Sequence, residues 1–316
     1  MKVHTDLDRL PAFNRAVITI GTFDGVHRGH QQILDTLKRE AAAIGGETVI
    51  ITFHPHPRKV VSSTILGVRL INTLEEKIGL LAQMGIDHLV VVPFTDAFAN
   101  QAAEDYVASF LVSRFKPASI IIGYDHRFGR DRKGDYLLLE KLAPQYGYKL
   151  LEIPKHVLDQ IAVSSTRIRE DLLDGRLAEA EKLLGYPFFF SGTVVHGDKL
   201  GRQLGYPTAN IRVTDEEKII PGNGIYAVYA ELPEDAGSGA VQPRLKGMMS
   251  IGFRPTVDGS KRVIEVNLFD FSAEIYDRQL RVHVIQYLRP EVKFDSLEAL
   301  VKQIDQDKID SLAILK

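Results

Sequence analysis

Two imidazoles three residues apart, His27 and His30, lie in GTFDGVHRGH (21–30), directly after the apolar run AVITI. Core packing calls for neither these histidines nor the glycines around them. Gly21 and Gly25 permit tight turning and close approach of backbone to a ligand. The following HQQILDTLKREA has helical period, so His27, Gly29 and His30 fall where a helix begins. The N–H groups and positive dipole end at such a start suit a phosphate. Imidazoles beside them donate hydrogen bonds and, when protonated, stabilise charge on a departing pyrophosphate. The stretch lacks the lysine of GxxxxGK(S/T) and the spacing of GxGxxG, so it is neither a P-loop nor a dinucleotide fingerprint. The alternatives are capping histidines or a zinc pair completed by His54 and His56. Four histidines with arginines nearby suit anions better than zinc.

Three more strings carry chemistry. In VSSTRIRE (163–170), Ser164, Ser165 and Thr166 read as N-cap residues of a following helix, whose hydroxyls and N–H groups form an anion nest. Arg167 and Arg169 add forked donors for phosphate oxygens. A plain helix cap with solvated arginines is the competing interpretation. In PTAN (207–210), Thr208 and Asn210 are two apart, so an extended chain turns both side chains to one face. A hydroxyl and an amide oxygen are suitable donors for Mg²⁺, which keeps waters and binds ATP oxygens; a turn leading into a strand explains the string equally well. In VIEVNLFDF, Glu265 points away from its apolar neighbours and is a candidate base or a solvent-facing carboxylate.

These residues need elements to position them. AVITI, TVIITF, HLVVVPF, ASIIIG and KLLEI alternate with segments of helical period, which predicts five parallel strands in a doubly wound α/β sheet. Ligands of such sheets sit beyond the carboxyl ends of strands. GTFDGVHRGH, HPHPRK and GYDHRFGRDRKGD all follow strands there. After Gly185, itself a predicted helix C-cap, short alternating strands punctuated by Gly and Pro predict an antiparallel β-barrel, closed by a C-terminal helix. PEDAGSGAVQP reads as a long hairpin connection. Two domains follow, 1–185 and 186–316.

Composition bounds the partners. The net charge of −2 over 316 residues offers no long-range pull on nucleic acid or an acidic membrane, so any anion site is local. The absence of cysteine excludes disulfides, thiolate zinc sites and thiol catalysis. MKVHTDLDRLP lacks the apolar core of a signal peptide, and no apolar run reaches the roughly 18 residues of a membrane span. The expectation is a cytoplasmic protein, monomeric or weakly self-associating, with no nucleic-acid or membrane partner.

GTFDGVHRGH resembles the HxGH signature of the nucleotidyltransferase superfamily, akin to the HIGH box of class I aminoacyl-tRNA synthetases. With FDG before it, it is similar to the adenylyltransferase half of bacterial bifunctional riboflavin kinase/FMN adenylyltransferases. FHPHP (53–57), IGYDHRFGRDRKGD (122–135) and VSSTRIRE extend that resemblance, and GDKLGRQLGYPTANI (197–211) resembles the flavokinase pattern GxxxGxxLGxPTAN. The chain departs from the pattern at Ser250 (asparagine in NIGxRPT), Asn267 (histidine in E-x-H) and Asp277 (commonly glycine).

The resemblance implies two ATP-dependent steps. The C-terminal barrel phosphorylates riboflavin to FMN, with Glu265 as base, Gly201, Gly205 and Thr208 at ATP, Thr208 and Asn210 at Mg²⁺, and Arg289 shaping the flavin site. The N-terminal domain adenylylates FMN to FAD and releases pyrophosphate. There Gly21, Phe23, Asp24, Gly25, His27, His30, Ser164, Ser165, Thr166 and Arg167 meet ATP, and Asp125 and Phe128 meet flavin; His56 and Arg58 fall near phosphate. Three other outcomes stay open: a barrel that only binds flavin, an RNA-binding protein suggested by the HIGH-like box, and a flavin sensor without catalysis. No KMSKS-like string or basic face supports the second.

Overall fold

The computed structural model describes residues 1–316 except 58, 59, 61–68, 124, 125, 198–200, 202, 203, 234–243, 257 and 258, and the backbone alone at 158, 160–163, 255, 256, 259 and 260. The chain divides into two compact units, Met1–Thr166 and Arg167–Lys316.

Runs of β-branched residues build the first unit as a parallel sheet. Its strands are β1 (Lys2–His4), β2 (Val17–Ile20), β3 (Thr48–His54), β4 (His88–Pro93), β5 (Ser119–Gly123) and β6 (Lys149–Ile153), in the order β1-β4-β3-β2-β5-β6. The five expected strands are β2 to β6. The sixth, β1, is a three-residue edge strand beside β4, too short to show a period. Alternation along the strands shows why both faces are apolar. Ile18, Ile20, Val49, Ile51, Ile120 and Ile122 share one core with Tyr106, Phe110 and Phe115 of the helical segment 103–115. Their neighbours Val17, Ile50, Leu89 and Ile121 are equally buried, as are Leu34 and Leu37 of α1 (Arg28–Ile44) and Leu81 of α2 (Leu74–Gln83). A capping box starts α2: Thr73 and Glu76 each accept the other's backbone N–H. Because β2 pairs with β3 on one side and β5 on the other, the strand order reverses there, and the crevice beyond their carboxyl ends is the switch point.

After α3 (Tyr136–Tyr146), the helix α4 (Lys155–Leu173) corrects one expectation. Ser164, Ser165 and Thr166 sit in its middle instead of capping its start. The helix begins directly after Pro154, and interior N–H groups bond to carbonyls four residues back. The anion nest of backbone N–H groups expected at 164–166 is therefore not formed; the hydroxyls alone are presented.

In the second unit, α5 (Leu177–Leu184) ends on Gly185 at φ 84, whose N–H bonds to Glu181 O as the sequence predicts. The barrel comprises β7 (Phe189–Val195), β8 (Ala209–Arg212), β9 (Gly224–Glu231), β10 (Leu245–Thr256), β11 (Gly259–Leu268) and β12 (Gln279–Arg289), closed in the order β10-β11-β8-β7-β12-β9. Val228, Met249, Ile251, Val266 and Val282 are fully buried in it. The C-terminal helix α6 (Leu297–Ile314) starts at Ser296, whose hydroxyl accepts the Ala299 N–H. Beyond Pro233, the expected connection PEDAGSGAVQP lies outside the described residues.

Candidate active sites

The loop from β2 into α1 builds the first site. Phe23 (φ 47), Gly25 (φ 85) and Val26 (φ 36) all adopt left-handed conformations within five residues. The two non-glycine ones cost about 1–3 kcal/mol each, a strain that persists where surroundings enforce it. Gly25 is required twice over, by its φ and because a Cβ would fall 3.0 Å from the Ile71 side chain. Gly21 lies against the Phe23 ring, where a Cβ would approach to 3.1 Å. Asp24 is buried, and its Oδ1 accepts the N–H groups of Ile71 and Asn72, tying the loop to that segment.

His27 is the N-cap of α1, so the helix start expected from the sequence is where the imidazoles lie. The rings of His27 and His30 stack with centroids 3.9 Å apart, and both are buried. His27 Nε2 and Ser165 Oγ share a hydrogen bond of 2.9 Å across 138 residues of sequence. Burial, then the charges of His27 and Lys77, pulls the His30 pKa well below the usual histidine value. His30 is therefore neutral at neutral pH in this site, a hydrogen-bonding ring and not a cation. Lys77 of α2 is buried as well; its Nζ donates to Thr22 O at 2.6 Å, and burial lowers its pKa. Ser164 is buried and Thr166 exposed. Arg167, described with the second unit, pairs through Nε with the fully buried Asp171 at 3.1 Å.

A cavity of about 860 Å³ lies in the same unit, walled by Phe53, Phe94, Phe98, Tyr106, His126 and Phe128, with Arg127 and Arg132 at its edge. Phe128 stacks on Tyr106 at 4.6 Å and rests on Gly134, where any Cβ would collide with its ring. Burial and the two arginines bring the His126 pKa down to about 4. Asp125 and Arg58 lie outside the described residues.

The barrel holds the second site. Thr208, Glu265 and Arg289 line a cavity of about 440 Å³ with apolar walls that include Met248, Met249 and Phe294. A neighbouring cavity of about 420 Å³ is lined by Thr208, Phe271 and Tyr276. Of the described residues, Thr208 alone lines both. Gly205 (φ 81) makes the turn that returns the Tyr206 N–H to Gly201 O, and the Tyr206 hydroxyl donates to Asp305 of α6. Arg289 forms a two-pronged pair with the buried Asp307, at 2.7 and 2.6 Å, which fixes its guanidinium in the cavity wall. Asn267, at one departure from the family pattern, donates to Pro207 O at 2.7 Å and pins the PTAN turn. Asp277, at another, has φ 62, a conformation that favours the glycine common there.

Asn210 lies opposite Glu265 in the pairing of β8 with β11. Its amide fills a space over Gly197, where a Cβ would fall 2.2 Å from Nδ2, and Thr208 Oγ1 is 3.4 Å from the Cβ position of Gly201. A glycine thus makes room at Asn210; at Thr208 the contact is an ordinary one, and the Cβ position of Gly201 falls instead 2.4 Å from Tyr206 O. Among the described residues no group of three or more His, Cys, Asp or Glu side chains is placed to hold a metal. A neutral hydroxyl and amide fit a Mg²⁺ ion whose other ligands are phosphate and water.

Sequence reasoning missed Lys77, Arg254 and Glu291. Lys77 interrupts a helix face shared with Leu80 and Leu81, a signal that was available. Arg254 Nη2 donates to Glu265 Oε2 at 3.3 Å and Nη1 to Glu291 Oε1 at 3.2 Å, contacts across a hairpin and a barrel that no local spacing reveals.

Comparison with known proteins agrees with this geometry. Residues 10–167 match the family model for FAD synthetase and residues 184–315 that for riboflavin kinase. The bifunctional riboflavin kinase/FMN adenylyltransferase of Escherichia coli K12 is 38% identical over 93% of this chain and 90% of its own length. That of Listeria monocytogenes is 37% identical over 94% and 91%. A crystal structure described as a macrolide-efflux protein from Streptococcus pneumoniae matches with a TM-score of 0.82 and 29% identity over 98% of both chains. No described helix of this chain is long and apolar enough to cross a membrane. The chain belongs to the family of bifunctional riboflavin kinase/FMN adenylyltransferases.

Proposed function

We infer that the chain carries both activities of its family, with residues 186–316 transferring the γ-phosphoryl group of ATP to the riboflavin 5′-hydroxyl and residues 1–185 transferring AMP from a second ATP to the FMN phosphate. The observation that carries the first step is the meeting of two cavities at Thr208, with Glu265 in one of them. The cavity walled by the methionines takes the flavin, and the one with Tyr276 takes the nucleotide. Glu265 accepts the hydroxyl proton as the oxygen attacks phosphorus, yielding FMN and ADP. Thr208 and Asn210 would hold Mg²⁺, which neutralises phosphate charge when bound.

The second step starts from a nucleophile that is already an anion, so alignment and charge neutralisation matter more than a base. The start of α1, His27 held by Ser165, and neutral His30 supply hydrogen bonds around the triphosphate, while Lys77 holds the loop through Thr22 O. FMN oxygen bonds to the α-phosphorus, pyrophosphate leaves, and FAD forms. The cavity beside Phe128 takes the flavin ring, and Gly21, Phe23, Asp24 and Gly25 shape the loop that meets ATP. Because both steps consume ATP, we infer that the protein acts in the cytoplasm.

Incubation with riboflavin, ATP and Mg²⁺ followed by chromatography tests the proposal. FMN and FAD both appear if it holds. Bound but unchanged riboflavin would instead identify a sensor, and conversion of supplied FMN alone a single-activity enzyme.

A further inference from the structure

The kinase cavity contains a charged chain of contacts that neither proton transfer nor metal binding requires. Arg254 lies between two carboxylates, Glu265 at 3.3 Å and Glu291 at 3.2 Å, and all three residues line the cavity that contains Thr208. Ser250, Gly252 and Arg254 alternate along one face of β10, and Ser250 is the direct cross-strand partner of Glu265. The Glu291 carboxylate lies over Gly252: a Cβ there would fall 1.9 and 2.0 Å from its two oxygens. Only glycine at 252 allows Glu291 this seat.

We propose that Gly252, Glu291 and Arg254 form a positioning relay for the kinase base, in which Glu291 seated on Gly252 holds the guanidinium and the guanidinium holds Glu265. The proposal rests on the kinase reading given above. A carboxylate paired to a guanidinium gains a fixed orientation. Phosphoryl transfer through a loose transition state benefits from that orientation, because alignment governs the rate. Glu291 also draws on Arg254, so the guanidinium is shared and does not neutralise Glu265 alone. None of the three relay residues need touch the reacting atoms.

Gly252→Ala and Glu291→Ala test the relay from opposite ends, since one evicts the carboxylate and the other deletes it. Each is expected to lower kcat for riboflavin phosphorylation by up to about 10²-fold, the scale of a reacting group misplaced by about 1 Å. KM for ATP stays within about twofold, and adenylylation of supplied FMN by the same chain is unchanged. Because both act on one contact, the double variant is no slower than either single one. Glu291→Gln, which keeps an oxygen acceptor for Arg254, recovers to within about threefold of the parent. Gly252→Ala or Glu291→Ala at the parent kcat overturns the relay, as does a double variant whose losses multiply. A parent protein that forms no FMN overturns the kinase reading and the relay together; one that forms FMN at the same kcat as both variants overturns the relay alone.

Discussion

The two sites differ most in how they treat their titratable groups. In the sheet unit His27 and His30 are 0% and 7% exposed, stacked on each other, and at least His30 is held neutral. In the barrel the side chains of Glu265 and Arg254 are 28% and 46% exposed and keep opposite charges in contact. The difference follows the nucleophile. A phosphate monoester needs no proton removed, so its site invests in buried hydrogen-bond donors and a strained loop at a helix start. An alcohol must lose a proton, so a site for one needs an acceptor, and Glu265, partly exposed and paired with Arg254, is the candidate.

The largest expected effect separates the sites outright. Glu265→Gln lowers riboflavin phosphorylation by about 10²–10⁴-fold, the usual contribution of a general base, and leaves adenylylation of supplied FMN intact. Equal loss of both activities would break the contrast. His27→Ala reverses the pattern. Loss of a preorganised donor and of the Ser165 contact lowers adenylylation about 10²–10³-fold with FMN formation unchanged. Thr208→Val raises the Mg·ATP requirement of the kinase about tenfold, read as an increase in KM with adenylylation unaffected.

The smallest effect concerns stability. The folded pKa of His30 lies below its unfolded value of about 6.5, so its neutral burial contributes fully above that pH and is lost as pH falls toward the folded value. Replacing it by glutamine should narrow the gap in thermal midpoint between pH 7.5 and pH 5.5, measured by circular dichroism, relative to the parent protein. An unchanged gap would show that His30 does not report the dryness of this site.

Much of the architecture could be inferred from local pattern, because Val/Ile runs and helical periods are short-range signals. Strands β2 to β6, the barrel, the Gly185 cap and the start of α1 at His27 are of this kind. Ser164 to Thr166 misled for the same reason. A Ser-Ser-Thr string reads locally as a cap, yet the helix had already begun nine residues earlier at Lys155 and its continuity decides the matter. Lys77, Arg254 and Glu291 act through contacts distant in sequence, and their roles depend on the fold as a whole. Arg289 was found by resemblance, but its partner Asp307 on α6, which fixes its direction, was not.

Among the described residues Thr208 alone walls both barrel cavities, which has a practical corollary. On the proposed placement of flavin and nucleotide, a compound joining an isoalloxazine to an adenosine through a phosphate chain would run past the Thr208 hydroxyl to occupy both chambers. Once either end has docked, the tether keeps the other at millimolar local concentration, so such a hybrid molecule should bind far more tightly than either half.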